Sequence, residues 1–205
     1  MRGRRTQVER SEETRDKILT AAIELMNKRG YAGFRVTEVA EIAGLSRGAQ
    51  LHHFKTKDAL ISAALTRVFT IASQDVRARV QVINENPGCS ITDIVDAIID
   101  DARQFFFSDN FRFALDMSLV GARDLKVARM ARETIRKEAL PNEEVWVEVL
   151  MQAGLAEDVA RDALCFLRSV IRGLMVRSLT TRDPQQGRRV IAMAREMLLS
   201  RIAAS

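Results

Sequence analysis

The chain has little of what would staple, metallate or anchor a protein. Of its 205 residues only Cys89 and Cys165 are cysteines, far apart, with no CxxC and no Cys/His cluster, so neither a disulfide framework nor a zinc site is expected. The only two histidines, His52 and His53, are adjacent and point in different directions on a helix, so they cannot share one metal there. No metal and no cofactor is implied. Their position also leaves the rest of the chain without the usual general base, and no Glu-x-x-His pair occurs, which counts against an enzyme built on a helical bundle. Three prolines, one tyrosine and few alternating β-branched runs argue against strands. No run of eighteen apolar residues occurs and no signal-peptide pattern opens the chain, so no membrane partner and a reducing, cytoplasmic setting are expected.

What is present is abundant Ala, Leu, Arg and Glu, with 47% hydrophobic residues, enough for a buried core. The fold class is therefore all-α. The net charge of +5 is unevenly spread. Residues 1–60 hold twelve Lys or Arg against eight Asp or Glu, and the remainder 20 against 19. A basic excess at one end suits a module that neutralises phosphate.

That end contains the most informative stretch, residues 35–58. Val36, Val39, Ala40 and Ala43 fall at helical spacing; Gly44 offers a turn, Leu45 an apolar plug, and Ser46 a cap for a second short helix. Two short helices joined this way form a helix-turn-helix, whose second helix enters the DNA major groove. Ala40, Ala43-Gly44-Leu45-Ser46, Gly48-Ala49 and His52-His53-Phe54-Lys55-Thr56-Lys57 resemble the DNA-binding motif of the TetR family of bacterial repressors. The resemblance implies a double-stranded DNA operator, a homodimer and a small-molecule effector as partners. It also implies a three-helix head and a larger effector-binding and dimerisation domain, about nine helices in all. The boundaries expected are a flexible basic arm at 1–10, a helix-turn-helix domain at 11–56 and the effector domain at 57–205.

By position, Arg35 and Thr37 can hydrogen-bond phosphate, Arg47, Gly48 and Gln50 can approach base edges, and His53 and Lys57 are candidate phosphate clamps. Where the family has Leu then Tyr, this chain has Gln50 then Leu51. The family's Leu packs inward and its Tyr meets phosphate, so either Gln50 or Leu51 faces the DNA; if Leu51, its natural partner is a thymine methyl. Arg2, Arg4 and Arg5 could form a minor-groove arm or a solvated terminus.

Helix 1 is expected from Ser11 to Arg29, ended by Gly30, and a long helix from Lys57 to Asn84, ended by Asn86-Pro87-Gly88. Ser90 or Thr92 can cap the next helix. Beyond it, Phe105, Phe106, Phe107, Phe111 and Phe113 hold five of the nine phenylalanines. Three consecutive aromatics cannot all face one core, so Phe105, Phe106, Phe111 and Phe113, with Trp146 and Phe166, are candidates to line a ligand cavity. Asp116, a lone acid in apolar company, must pair, protonate or touch a ligand. Pro141 is read as ending a helix, Asn142 as capping the next, and Asp183-Pro184 as opening the last. Leu167, Ile171, Leu174, Val190, Met193 and Met197 on the final two helices are candidates for a dimer interface. An aromatic-lined cavity after residue 90 would favour an effector-responsive regulator; a solid core would favour a DNA binder without ligand.

Overall fold

The structure is a computed structural model that describes residues 6–120, 124–181 and 183–204. Among them are ten α-helices, and the class is all-α: α1 (Gln7–Gly33), α2 (Val36–Ile42), α3 (Arg47–His53), α4 (Lys57–Asn84), α5 (Ile91–Phe106), α6 (Asp109–Val120), α7 (Leu125–Glu138), α8 (Leu140–Gln152), α9 (Glu157–Ser178) and α10 (Pro184–Ala203).

Helix α1 starts before Ser11. Thr6 accepts from the Glu9 N–H at 3.2 Å while the Glu9 carboxylate accepts from the Thr6 N–H at 2.8 Å. This reciprocal cap begins the helix four residues early and makes residues 7–10 helical rather than part of a flexible arm. Arg2, Arg4 and Arg5 lie outside the described residues. Near the other end Gly30 breaks the helical path with φ +64° and ψ 179°, values that suit a residue without a Cβ.

The chain folds into two compact units. One comprises residues 1–69 and 109–136, so α6 and α7 join α1–α3 and the first part of α4, a grouping that differs from a boundary at residue 57. Ile18, Ala22, Leu25 and Met26 of α1 are buried there together with Phe34, Val39, Phe54, Phe113 and Met117. The apolar face of α1 is thus its floor.

The other unit comprises residues 70–108 and 137–205. Helix α5 packs on α9, α8 and α10, and its face of Ile94, Val95, Ile98 and Ile99 is buried. Ser90 caps α5 in a box with Asp93, and Asp183 caps α10 by accepting from the Gln186 N–H at 2.8 Å. Pro141 does not end α7. It sits in the first turn of α8, where its missing N–H costs nothing, and Asn142 lies inside that helix, donating to the Glu138 carbonyl at 3.3 Å.

Candidate nucleic-acid interface and effector cleft

Backbone chemistry fixes the angle between α2 and α3. At the end of α2 the Leu45 N–H bonds the Ala40 carbonyl at 2.9 Å and the Gly44 N–H bonds the Glu41 carbonyl at 3.1 Å, with Gly44 at φ +66°. This paired closure requires a left-handed residue at Gly44 and turns the chain sharply. Ser46 then accepts from the Ala49 N–H at 3.2 Å and starts α3.

Helix α3 shows one stripe to solvent: Arg47, Gly48, Leu51 and His52. A Cβ added at Gly48 would have only Ser46 Oγ within 4 Å, at 3.9 Å, so the outer surface there is bare backbone. Gln50 is on the opposite face. It is fully buried, its amide donates to the Phe54 carbonyl at 3.3 Å, and its Oε1 has no partner. The expectation that Gln50 meets base edges is therefore corrected: helical geometry turns it inward, and Leu51, 41% exposed, is the outward residue of the pair.

The flanking residues divide. Arg35 and Thr37 are exposed at the start of α2, and Arg35 donates to the Ala32 carbonyl at 3.0 Å. His53 is half-buried; desolvation, then the neighbouring His52 and Arg15, hold its imidazole below the ordinary pKa. Lys57 is half-buried and engaged within the head. Its ammonium donates to the Tyr31 carbonyl at 3.3 Å and lies 4.2 Å from the Tyr31 ring centre. Burial, then the charge of Arg35, lowers its pKa against the pull of Asp58. His52, absent from the expected contacts, stands four residues after Gly48 on the open stripe, and that helical spacing is its signal in the sequence.

Residues 18–64 match the family model described as bacterial regulatory proteins, tetR family. The HTH-type transcriptional regulator CymR of Pseudomonas putida is 36% identical over 98% of this chain and 96% of its own length. The chain belongs to the TetR family. The HTH-type transcriptional repressor NicS, also of Pseudomonas putida, is 25% identical over 87% of this chain and 80% of its own length. A solved structure from Mesorhizobium loti, described as a TetR-family regulator, shares the fold with a TM-score of 0.71 at 18% identity, covering 93% of this chain and 97% of that one. The chain is thus a DNA-binding transcriptional regulator of the TetR family, and its relatives CymR and NicS are named as regulators.

Elsewhere in this TetR-family chain the aromatic residues divide between the two units. Phe111 and Phe113 are buried in the unit that holds the head, on α6, which packs on α1. Asp116 on the same helix accepts from the Tyr31 N–H at 2.9 Å, the donor that the break at Gly30 leaves without a helical partner. It pairs with backbone.

In the second unit Trp146 is fully buried and donates from Nε1 to Asp101 at 3.2 Å. Arg168 reaches the same carboxylate at 3.3 Å and lies 5.0 Å from the centre of the Phe106 ring. Desolvation raises the Asp101 pKa, and Arg168 and the Trp146 N–H pull it back. Trp146 and Phe106 are therefore parts of a buried polar core, and Phe105 and Phe166 are half-buried.

A cleft of about 600 Å³ does open in this unit, between the end of α5 and the junction of α9 with α10. None of the seven residues expected in a pocket lines it; Phe107 is its aromatic wall. The dimer candidates also separate. Leu167 and Ile171 are buried in the subunit's own core, Leu174 lines the cleft, Val190 is half-buried, and Met193 and Met197 are 54% and 59% exposed. Helix α9 also presents an outer stripe: Cys165, Ser169, Gly173 and Val176 are all exposed at helical spacing. Among the described residues no helix is long and apolar enough to cross a membrane.

Proposed function

We propose that the protein is a homodimeric repressor that binds a palindromic operator through α3 and is released by a small, partly hydrophobic effector. The observation that carries this reading is the capped α3 with Arg47, Gly48, Leu51 and His52 open to solvent. Arg47 reads a base edge, Gly48 lets the backbone approach, and Leu51 meets a thymine methyl. Arg35 and Thr37 hold phosphate and fix the register. One seven-residue helix spans too few base pairs for specificity, and a two-fold dimer doubles the contacts on a symmetric site. The exposed Met193 and Met197 of α10 and the stripe of small residues on α9 supply apolar, closely approachable surface for that pairing. The cleft gives an effector a place to bind, and an effector that favours the DNA-incompetent conformation weakens operator binding by the same differential affinity. The protein works in the cytoplasm, where the DNA is.

The test is selection of bound sequences from random duplexes with the purified protein. Palindromic half-sites about one helical turn apart are expected, and enriched sites without symmetry would overturn the dimer. On the selected operator, Arg47→Ala should cost about 1–3 kcal/mol of specific binding and little of nonspecific binding. Replacing thymine by uracil in each half-site should weaken the wild type and leave Leu51→Ala indifferent; equal responses would remove Leu51 from the readout.

A further inference from the structure

The cleft at the end of α5 has a lining whose chemistry is uneven. Its apolar surface comes from Phe107, 48% exposed just past the end of α5, with Leu174 and Ile191. Its charged groups are Arg103, Arg177 and Arg188 against a single carboxylate, Asp183. That carboxylate is already engaged in capping α10. Arg177 donates to the neutral amide of Gln186 at 2.9 Å, and the ion pair of Arg103 is with exposed Asp100, outside the lining, at 3.6 Å. The Arg188 side chain makes no ion pair or hydrogen bond with any described residue. Three guanidinium groups beside an apolar surface leave an excess of positive charge in a partly enclosed space. Arginine is the side chain best suited to grip a carboxylate with two parallel bonds. The volume falls within the roughly 300–1,000 Å³ usual for small-molecule sites.

We propose that this cleft binds an amphipathic carboxylate, with its anionic head on Arg188 and Arg177 and its apolar body on Phe107, Leu174 and Ile191. This rests on the effector-responsive reading above and names the chemical class and place of the effector. A purely apolar molecule would leave the guanidinium groups facing hydrocarbon, and a small inorganic anion would leave the apolar wall wet; a molecule with both parts satisfies both.

The experiment is calorimetric titration of the full-length protein with 4-butylbenzoate, with its neutral amide 4-butylbenzamide and with inorganic phosphate. The carboxylate should bind about ten- to a hundredfold more tightly than the amide, the difference expected of a hydrogen-bonded charge, and phosphate weakest of all. Arg188→Gln should erase most of the preference for the carboxylate. Gly187→Leu should block binding. A Cβ at Gly187 meets no atom within 4 Å, so the larger side chain grows into open space and the helix is retained. Equal binding of carboxylate and amide, tightest binding of phosphate, or unchanged titration of Gly187→Leu would overturn the proposal. So would light scattering that shows Gly187→Leu turning a dimer into monomers, since the cleft would then belong to an interface between copies. Operator affinity is read separately. A carboxylate that binds the wild type but leaves the operator bound upholds the site and overturns effector release; release that persists in Gly187→Leu overturns the site alone.

Discussion

The two units hold their shape by different means. In the unit containing α1–α3, order comes from backbone ends that find local partners: Thr6 with Glu9, Gly44 with Glu41, Leu45 with Ala40, Ser46 with Ala49. In the other, a charged pair lies inside the core, with Asp101 5% exposed and bonded by Trp146 and Arg168. Local caps each contribute about 1 kcal/mol and fail independently. A buried ion pair fails as a whole, because removing one partner strands the other without water. The head is thus tolerant of change, and the second unit is brittle around Asp101.

The sharpest way to break this contrast is Asp101→Ala. It leaves the Trp146 N–H without its acceptor and the Arg168 guanidinium with Glu143, at 3.4 Å, in place of the buried carboxylate, and a loss of about 3 kcal/mol, the lower end for a broken buried pair, is expected in chemical denaturation. Replacing both Asp101 and Arg168 by leucine should recover most of that loss. A single variant as stable as the wild type would show that the pair is not what makes the unit brittle.

A smaller effect is expected in the head from Asp116→Ala. The Asp116 carboxylate accepts from the Tyr31 N–H where α1 breaks, and Tyr31 offers its carbonyl to Lys57. Hydrogen bonds to a charged group are worth about 1.5–3 kcal/mol, and the partial exposure of Asp116 puts the loss at the lower end. Asp116→Asn, which keeps an acceptor oxygen, should lose less. Equal losses for the two variants would mean that the negative charge, not an acceptor oxygen as such, is at stake.

The same contrast explains what could be read from the sequence. Ser46, Gly44, Asn86-Pro87-Gly88 and Asp183-Pro184 announce themselves because a cap or a turn involves residues a few positions apart, and the helices begin or end beside them. The all-α class and the open Arg47 followed in the same way. Partners distant in sequence carry no such signature: Asp116 and Tyr31 are 85 positions apart, and Asp101 and Arg168 are 67 apart. Composition therefore placed the phenylalanines in a cavity wall, whereas packing put Phe106, Phe111 and Phe113 inside and left Phe107 as the lining. Leu167 and Ile171, buried within the subunit, show a related limit: an apolar stripe does not say which neighbour covers it.

Gln50 sharpens the comparison from the stabilising side. Its buried Oε1 has no partner, and a well-bounded helix tolerates that defect. Gln50→Leu removes the orphaned acceptor, at the cost of the weak bond to the Phe54 carbonyl, and should raise stability by about 1 kcal/mol. Operator affinity should stay the same, because the side chain points away from the open stripe of α3. Lost DNA binding in a folded Gln50→Leu would return Gln50 to the reading surface.

The smallest effect, and the finest test, is that the two units answer pH with opposite signs. Desolvation, His52 and Arg15 hold His53 below the ordinary value of 6.5, so between the two values the unfolded chain binds more proton than the folded one. Its contribution to stability is complete above pH 6.5 and is lost as pH falls towards the folded-state value. Asp101 is raised above 3.8 by burial, so the folded chain holds its proton more tightly, and its contribution is complete below pH 3.8 and is lost as pH rises through the folded-state value. Melting curves from pH 8 to pH 5 should therefore show a small destabilisation that His53→Gln removes and Asp101→Asn does not. An unchanged slope in His53→Gln would mean that another group titrates in that window, and that the exposed side of α3 and its neighbours do not respond to mild acid through this imidazole.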